Sequence, residues 1–124
     1  MKISAIIVRL LLGLVFIVFG SNAFLHFIPM PELPHNATGD FLNALFVSHY
    51  VYAIALCQII GGLLLLLGRY VPLGLTVLGP VVVNILLFHL LMDQSELTIA
   101  LVILVLWLFL LWCYRSAFAG LFRA

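Results

Sequence analysis

Charge is what this chain has least of. Asp, Glu, Lys and Arg make up only 7% of its 124 residues and hydrophobic residues 67%, whereas about a quarter of a soluble globular protein is charged. With a mean hydropathy of +1.39, such a chain must be solvated by lipid. The net charge of +1 excludes the broad basic surface that nucleic-acid binding requires. Cysteine is scarce as well. Cys57 and Cys113 form no CxxC pair, and a dithiol relay needs two thiols held together. The histidines are scattered over different helices and depths, so no metal set is expected. The glycines match no phosphate-cradling loop, and no nucleotide site is implied.

What the chain does have is long apolar runs. A helix of roughly 20 residues crosses a ~30 Å hydrocarbon core, and the length accommodates four such helices with short connections. They are read over about residues 3–25, 41–67, 71–92 and 97–114, followed by an interfacial tail over 115–124. The first run is longer than the apolar part of a secretory signal, and is expected to be a retained helix. It is expected to stop at Pro29-Met30-Pro31, because prolines remove backbone donors. The second is expected to start with an amphipathic turn at the interface and to end at Gly68-Arg69. Pro80 falls inside the third, where packed neighbours can satisfy the carbonyl it frees.

On this reading the charges sort by connection. Lys2, Arg9, Arg69, Arg115 and Arg123 belong to the two termini and the second connection, and Glu32, Asp40, Asp93 and Glu96 to the other two. Basic residues are retained beside the cytoplasm. The expected fold is therefore all-α: a polytopic, antiparallel four-transmembrane-helix bundle in one domain, with both termini cytoplasmic.

Polar side chains inside the bilayer are costly and each needs a reason. Asn22, His49 and Asn84 are expected roughly 8–12 Å below the outer boundary on three different helices, with His26 one turn above Asn22. His89 is about 140° away from Asn84 and does not join them. Two readings stay open. Asn22, His26, His49 and Asn84 form either a polar pocket for the head of an amphipathic ligand, such as a quinone or a lipid, or interhelical glue. Likewise Arg9 either hydrogen-bonds Gln58 or snorkels to the inner headgroups. Ala53, Cys57 and Gly61 recur every four residues and read as a helix-packing seam, with Gly13 and Gly20 in the same role on the first helix. Asn36-Ala37-Thr38 is a formal glycosylation sequon on an outer loop.

The segments FGSNAFLHFIPMP (Phe19 to Pro31), QIIGGLLLLLGRYVPLGLTVLGPVVVNILLFHL (Gln58 to Leu90) and YRSAF (Tyr114 to Phe118) resemble the DoxX-like family of small bacterial four-helix membrane proteins. The resemblance covers much of the chain and rests on Asn22, His26, Gly61-Gly62, Pro80, Asn84 and His89 together. It implies a four-helix bundle in the inner membrane. Some members are small subunits of respiratory or thiosulfate:quinone oxidoreductase complexes. Members often carry a carboxylate where this chain has Gln58, so no proton-coupled role is assigned to that position. The broader likeness to vitamin K epoxide reductase folds stops short of the chemistry, since the cysteine motif is missing.

The leading functional expectation is a non-enzymatic accessory subunit or assembly factor of a larger membrane complex near a quinone or redox system. Its partners would be the lipid bilayer and other membrane subunits or further copies of itself. No catalytic residues are assigned, and no cofactor is required, although a quinone fits the polar pocket. The rivals are a stand-alone quinone-linked oxidoreductase or ligand-binding protein using that pocket, and a small transporter.

Overall fold

The computed structural model describes residues 2–28 and 32–122. The Pro29-Met30-Pro31 stop, and the end of the tail at Arg123 and Ala124, lie outside the described residues. Within them the chain is helical, with no strand. Its elements are α1 (Lys2–Leu25), α2 (Ala37–Val47), α3 (Tyr50–Leu67), α4 (Val71–Leu91), α5 (Leu97–Cys113), α6 (Arg115–Phe118) and a closing 3-10 turn, Ala119–Phe122. By length and composition α1, α3 and α4 can each cross a membrane. A fourth crossing is added if α5 and the residues up to Leu121, bent by 78° from it, are one span.

The second expected helix is two helices. Over 41–67 the chain breaks at Ser48-His49, between α2 and α3. The break uses neither glycine nor proline. Ser48 turns its hydroxyl back to the Ala44 carbonyl at 2.6 Å and accepts the Tyr50 N–H at 3.3 Å, while His49 takes a left-handed φ of 63°. Short hydroxyl side chains compete with the helix ladder in this way. Asn36 caps the other end of α2 by accepting the Gly39 N–H at 3.2 Å. Thr38 is buried and donates its hydroxyl to the Met92 carbonyl at 2.8 Å, and Phe41 meets Phe88 with ring centroids 5.8 Å apart. The sequon residues thus start α2 and tie it to the end of α4.

The long helices meet where side chains are missing. α1 packs on α3 and α5, and α4 packs on the same two. A Cβ placed on Gly13 would stand 2.7 Å from the Gly62 carbonyl oxygen, and one on Gly62 would stand 2.8 Å from that of Gly13. One heptad along, Gly20 faces the Ala55 carbonyl at 3.0 Å in the same sense. Gly61 and Gly74 repeat the device between α3 and α4, each 3.1–3.2 Å from the other's carbonyl by that measure. Lipid tails are as apolar as leucine, so close backbone approach and dispersion, rather than expulsion of water, hold such helices together. Leu12, Phe16, Leu65, Leu75, Leu78, Val82 and Leu110 fill the core between them. Trp107 ties α5 to α4, its indole N–H donating to the Leu75 carbonyl at 3.1 Å.

These pairings run antiparallel. Lys2, Arg69 and Arg115 therefore lie at one end of the molecule, and Glu32, Asp40, Asp93 and Glu96 at the other.

Candidate functional site

Three polar side chains of α4 return to their own backbone. Thr76 donates to the Pro72 carbonyl, Asn84 Nδ2 to the Pro80 carbonyl, and His89 Nδ1 to the Ile85 carbonyl, each at 2.8 Å and each four residues back. This is the least costly way to satisfy a donor in hydrocarbon, since it needs no second helix.

The four residues expected to share a pocket are placed as follows. Asn22 is half-buried and uses Oδ1 to accept the Ile28 N–H at 2.8 Å, closing the end of α1. His26 follows in an exposed left-handed turn, with φ 52°. His49 is exposed at the α2–α3 break, its ring stacked on Tyr52 at 5.6 Å. Tyr52 in turn stacks on Phe24 at 4.9 Å, which joins the end of α1 to the start of α3. Asn84 is exposed on α4. The His26 N–H donates to the Asn22 carbonyl at 2.8 Å, and among the described residues no side-chain hydrogen bond links any two of these four.

Asn84 has a different neighbourhood. Its Nδ2 is satisfied, yet its Oδ1 accepts no hydrogen bond among the described residues. From the Gly61–Gly74 crossing, Ala53 lies about 12 Å along α3 and Asn84 about 15 Å along α4 toward the same end, at ~1.5 Å per residue. Both are exposed, as is Cys57 between Ala53 and Gly61. At ~100° per residue, Cys57 and Ala53 are turned ~40° and ~80° from Gly61, away from α1, while Asn84 is turned ~80° from Gly74, away from α5. The expected row Ala53, Cys57, Gly61 therefore begins on an open face and enters the α4 contact only at Gly61. Together with Asn84 it lines the outward groove between α3 and α4.

The α1–α3 seam is carried by Ala55 and Gly62 instead, which stand one heptad apart opposite Gly20 and Gly13. That matched spacing was the available signal. Nothing in the sequence marked Thr38 as a donor to α4 or Trp107 as the polar link from α5 to α4. Arg9 does not reach Gln58. Its guanidinium lies over Gly68, with Cζ 2.9 Å from where a Cβ there would stand, whereas Gln58 sits beside Gly20, about 16 Å further along α1.

An all-helical chain with apolar helices long enough to span a bilayer, joined through glycine crossings, defines an integral membrane protein. The DoxX family model matches residues 4–90, and the chain belongs to that family. It is also similar to the uncharacterized protein YwoB of Bacillus subtilis (strain 168), at 35% identity over 77 residues. That match covers 61% of this chain and 50% of YwoB, so the chain spans about half the length of this curated relative. No solved structure matches it.

Proposed function

We propose that this protein is a non-enzymatic accessory or assembly subunit of the inner membrane, a four-span bundle with both termini cytoplasmic that receives a helix of a partner membrane protein in the α3/α4 groove. The observation that carries this reading is that Asn84, with an exposed carboxamide, and the exposed small residues Ala53 and Cys57 belong to the same open side of the α3–α4 pair. A carboxamide oxygen facing lipid is costly, and small residues alongside it let a second backbone come close enough to donate to it. The same combination of small residues and close carbonyls already joins α3 to α4 at Gly61 and Gly74. Placement near a quinone or redox system is supported by family resemblance alone.

The test is purification of the native membrane assembly in mild detergent. The wild-type chain is expected to co-migrate with a larger membrane protein, and Ala53→Leu combined with Asn84→Leu to release it. Recovery of both as the same isolated monomer overturns the proposal.

A second reading rests on the Phe24–Tyr52–His49 stack and the exposed His26 nearby in sequence. Aromatic faces and imidazoles suit the ring and carbonyls of a quinone. Titration with a menaquinone analogue decides it: binding that ignores His26→Leu, His49→Leu, Asn22→Leu and Asn84→Leu alike removes the pocket.

A further inference from the structure

Away from the acidic end, a groove of about 390 Å³ opens between the start of α1 and the end of α5, lined by Lys2, Ala5, Ile6, Arg9, Cys113 and Tyr114. Its size falls in the range of small-ligand sites. Lys2, Ala5, Ile6 and Arg9 follow the i, i+3, i+4, i+7 pattern, so they form one face of α1. Helical side chains lean toward their own N-terminus, which brings Arg9 down toward Lys2. The contact with Gly68 shows how far it goes: Cζ, Nη1 and Nη2 all lie within 2.9–3.0 Å of the missing Cβ, so the guanidinium lies flat over the C-terminal end of α3.

Arg9 is oddly served there. Its Nε is buried and has no hydrogen-bond partner among the described residues. No acidic residue lines the groove. Arg115, the nearby cation, is engaged elsewhere: it stacks on the Trp112 ring at 4.2 Å and donates to the Trp112 carbonyl at 2.9 Å. Two cations, Lys2 and Arg9, thus border a groove together with Tyr114 and no acidic side chain. The groove lies at the end of the spans, where lipid phosphates are found. An arginine fork suits the geometry of phosphate, and a lysine adds a point charge.

We propose that the Lys2–Arg9–Tyr114 groove binds a phosphate-bearing anion, whose source is the headgroup of an anionic phospholipid. Ala5 and Ile6, between Lys2 and Arg9 along α1, give the groove an apolar floor at the same level. This site stands apart from the α3/α4 groove, and its failure would leave the subunit reading intact.

The full-length protein in phosphatidylcholine nanodiscs is titrated with dihexanoyl phosphatidylglycerol, and separately with inorganic phosphate, and adducts are counted by native mass spectrometry. One phosphatidylglycerol adduct is expected, weakened about tenfold by Arg9→Gln and by Lys2→Gln, the loss expected for a charge-assisted hydrogen bond. Arg115→Gln is expected to leave it unchanged. Phosphatidylglycerol binding without phosphate binding assigns the headgroup; equal sensitivity of phosphate binding to the same variants assigns the free anion. Should Arg9→Gln not fold, Lys2→Gln at its exposed position decides alone. The proposal is overturned if phosphatidylglycerol is held no better than phosphatidylcholine, or if Arg115→Gln weakens it as much as Lys2→Gln. It is equally overturned if Arg9→Gln lowers thermal stability with adducts undiminished, for then the guanidinium serves only as a counter-charge to the α3 terminus.

Discussion

At the scale of the residue, the molecule is most exacting where it has no side chain. A methyl group on Gly62 must displace the Gly13 backbone, because the atom it would meet is a carbonyl oxygen at 2.8 Å and not a flexible side chain. Overpacking of this kind costs about 1–3 kcal/mol. Gly62→Ala is expected to lose that much in reversible unfolding in micelles, while Gly120→Ala, with open space around it, is expected to lose nothing measurable. Asp93 makes a second, smaller prediction. Its Oδ1 accepts the Ser95 hydroxyl at 2.6 Å and the Ser95 N–H at 3.1 Å, and these bonds, the hydroxyl first, hold its carboxyl below the ordinary 3.8. A carboxyl lowered by folding favours the folded turn above about pH 3.8 and loses that contribution as pH falls through its folded value. Ser95→Ala should move the Asp93 titration upward, toward 3.8, in a carbon-detected NMR titration. An unmoved midpoint would refute the assignment.

Elements show what a sequence can and cannot disclose. Runs such as Leu97 to Leu111 announce α5 by composition, and Gly68 marks the end of α3 by adopting a φ of 71° at its cap. The break at Ser48-His49 had no glycine or proline to mark it, and only the Ala44 and Tyr50 bonds of the Ser48 hydroxyl together with the left-handed φ of His49 show where the ladder stops. Periodicity found the small-residue row Ala53, Cys57, Gly61 but could not say which neighbour it faces. The α1 contact is offset by one or two residues, to Ala55 and Gly62. For the polar residues partners were not readable, since whether Asn84 turns to Pro80 or to another helix depends on rotamers, and His49 stands at the cap of α3 instead of two turns inside a helix begun at residue 41. α2 supplies the prediction at this scale. With 11 residues it is about 16 Å long, too short to span, and Thr38 is its buried polar anchor. Thr38→Val is expected to raise amide exchange over 37–47 by about tenfold, with α3 and α4 unaffected. Uniform exchange across the chain would show that α2 is held by something else.

For the whole molecule, antiparallel packing sets the basic residues against the acidic ones across its length. Retention of cations at the cytoplasmic side then predicts the orientation. In a chain freed of Cys57 and Cys113, Gln94→Cys is expected to react with an impermeant maleimide on intact cells, and Ser116→Cys only after permeabilisation. Labelling of both from one side would rule out the even number of crossings.

Gly61 and Gly62 are successive residues of α3 that serve two different crossings, one with α4 and one with α1. During synthesis, α1 therefore lacks the last part of its docking surface on α3 until residue 62 has been added. Roughly 50 residues separate Gly13 from its partner, a few seconds of translation at about 5–20 residues per second. For that interval the first span must wait in the bilayer with Gly13 unpartnered, available to any insertase or chaperone that recognises unpaired glycine faces.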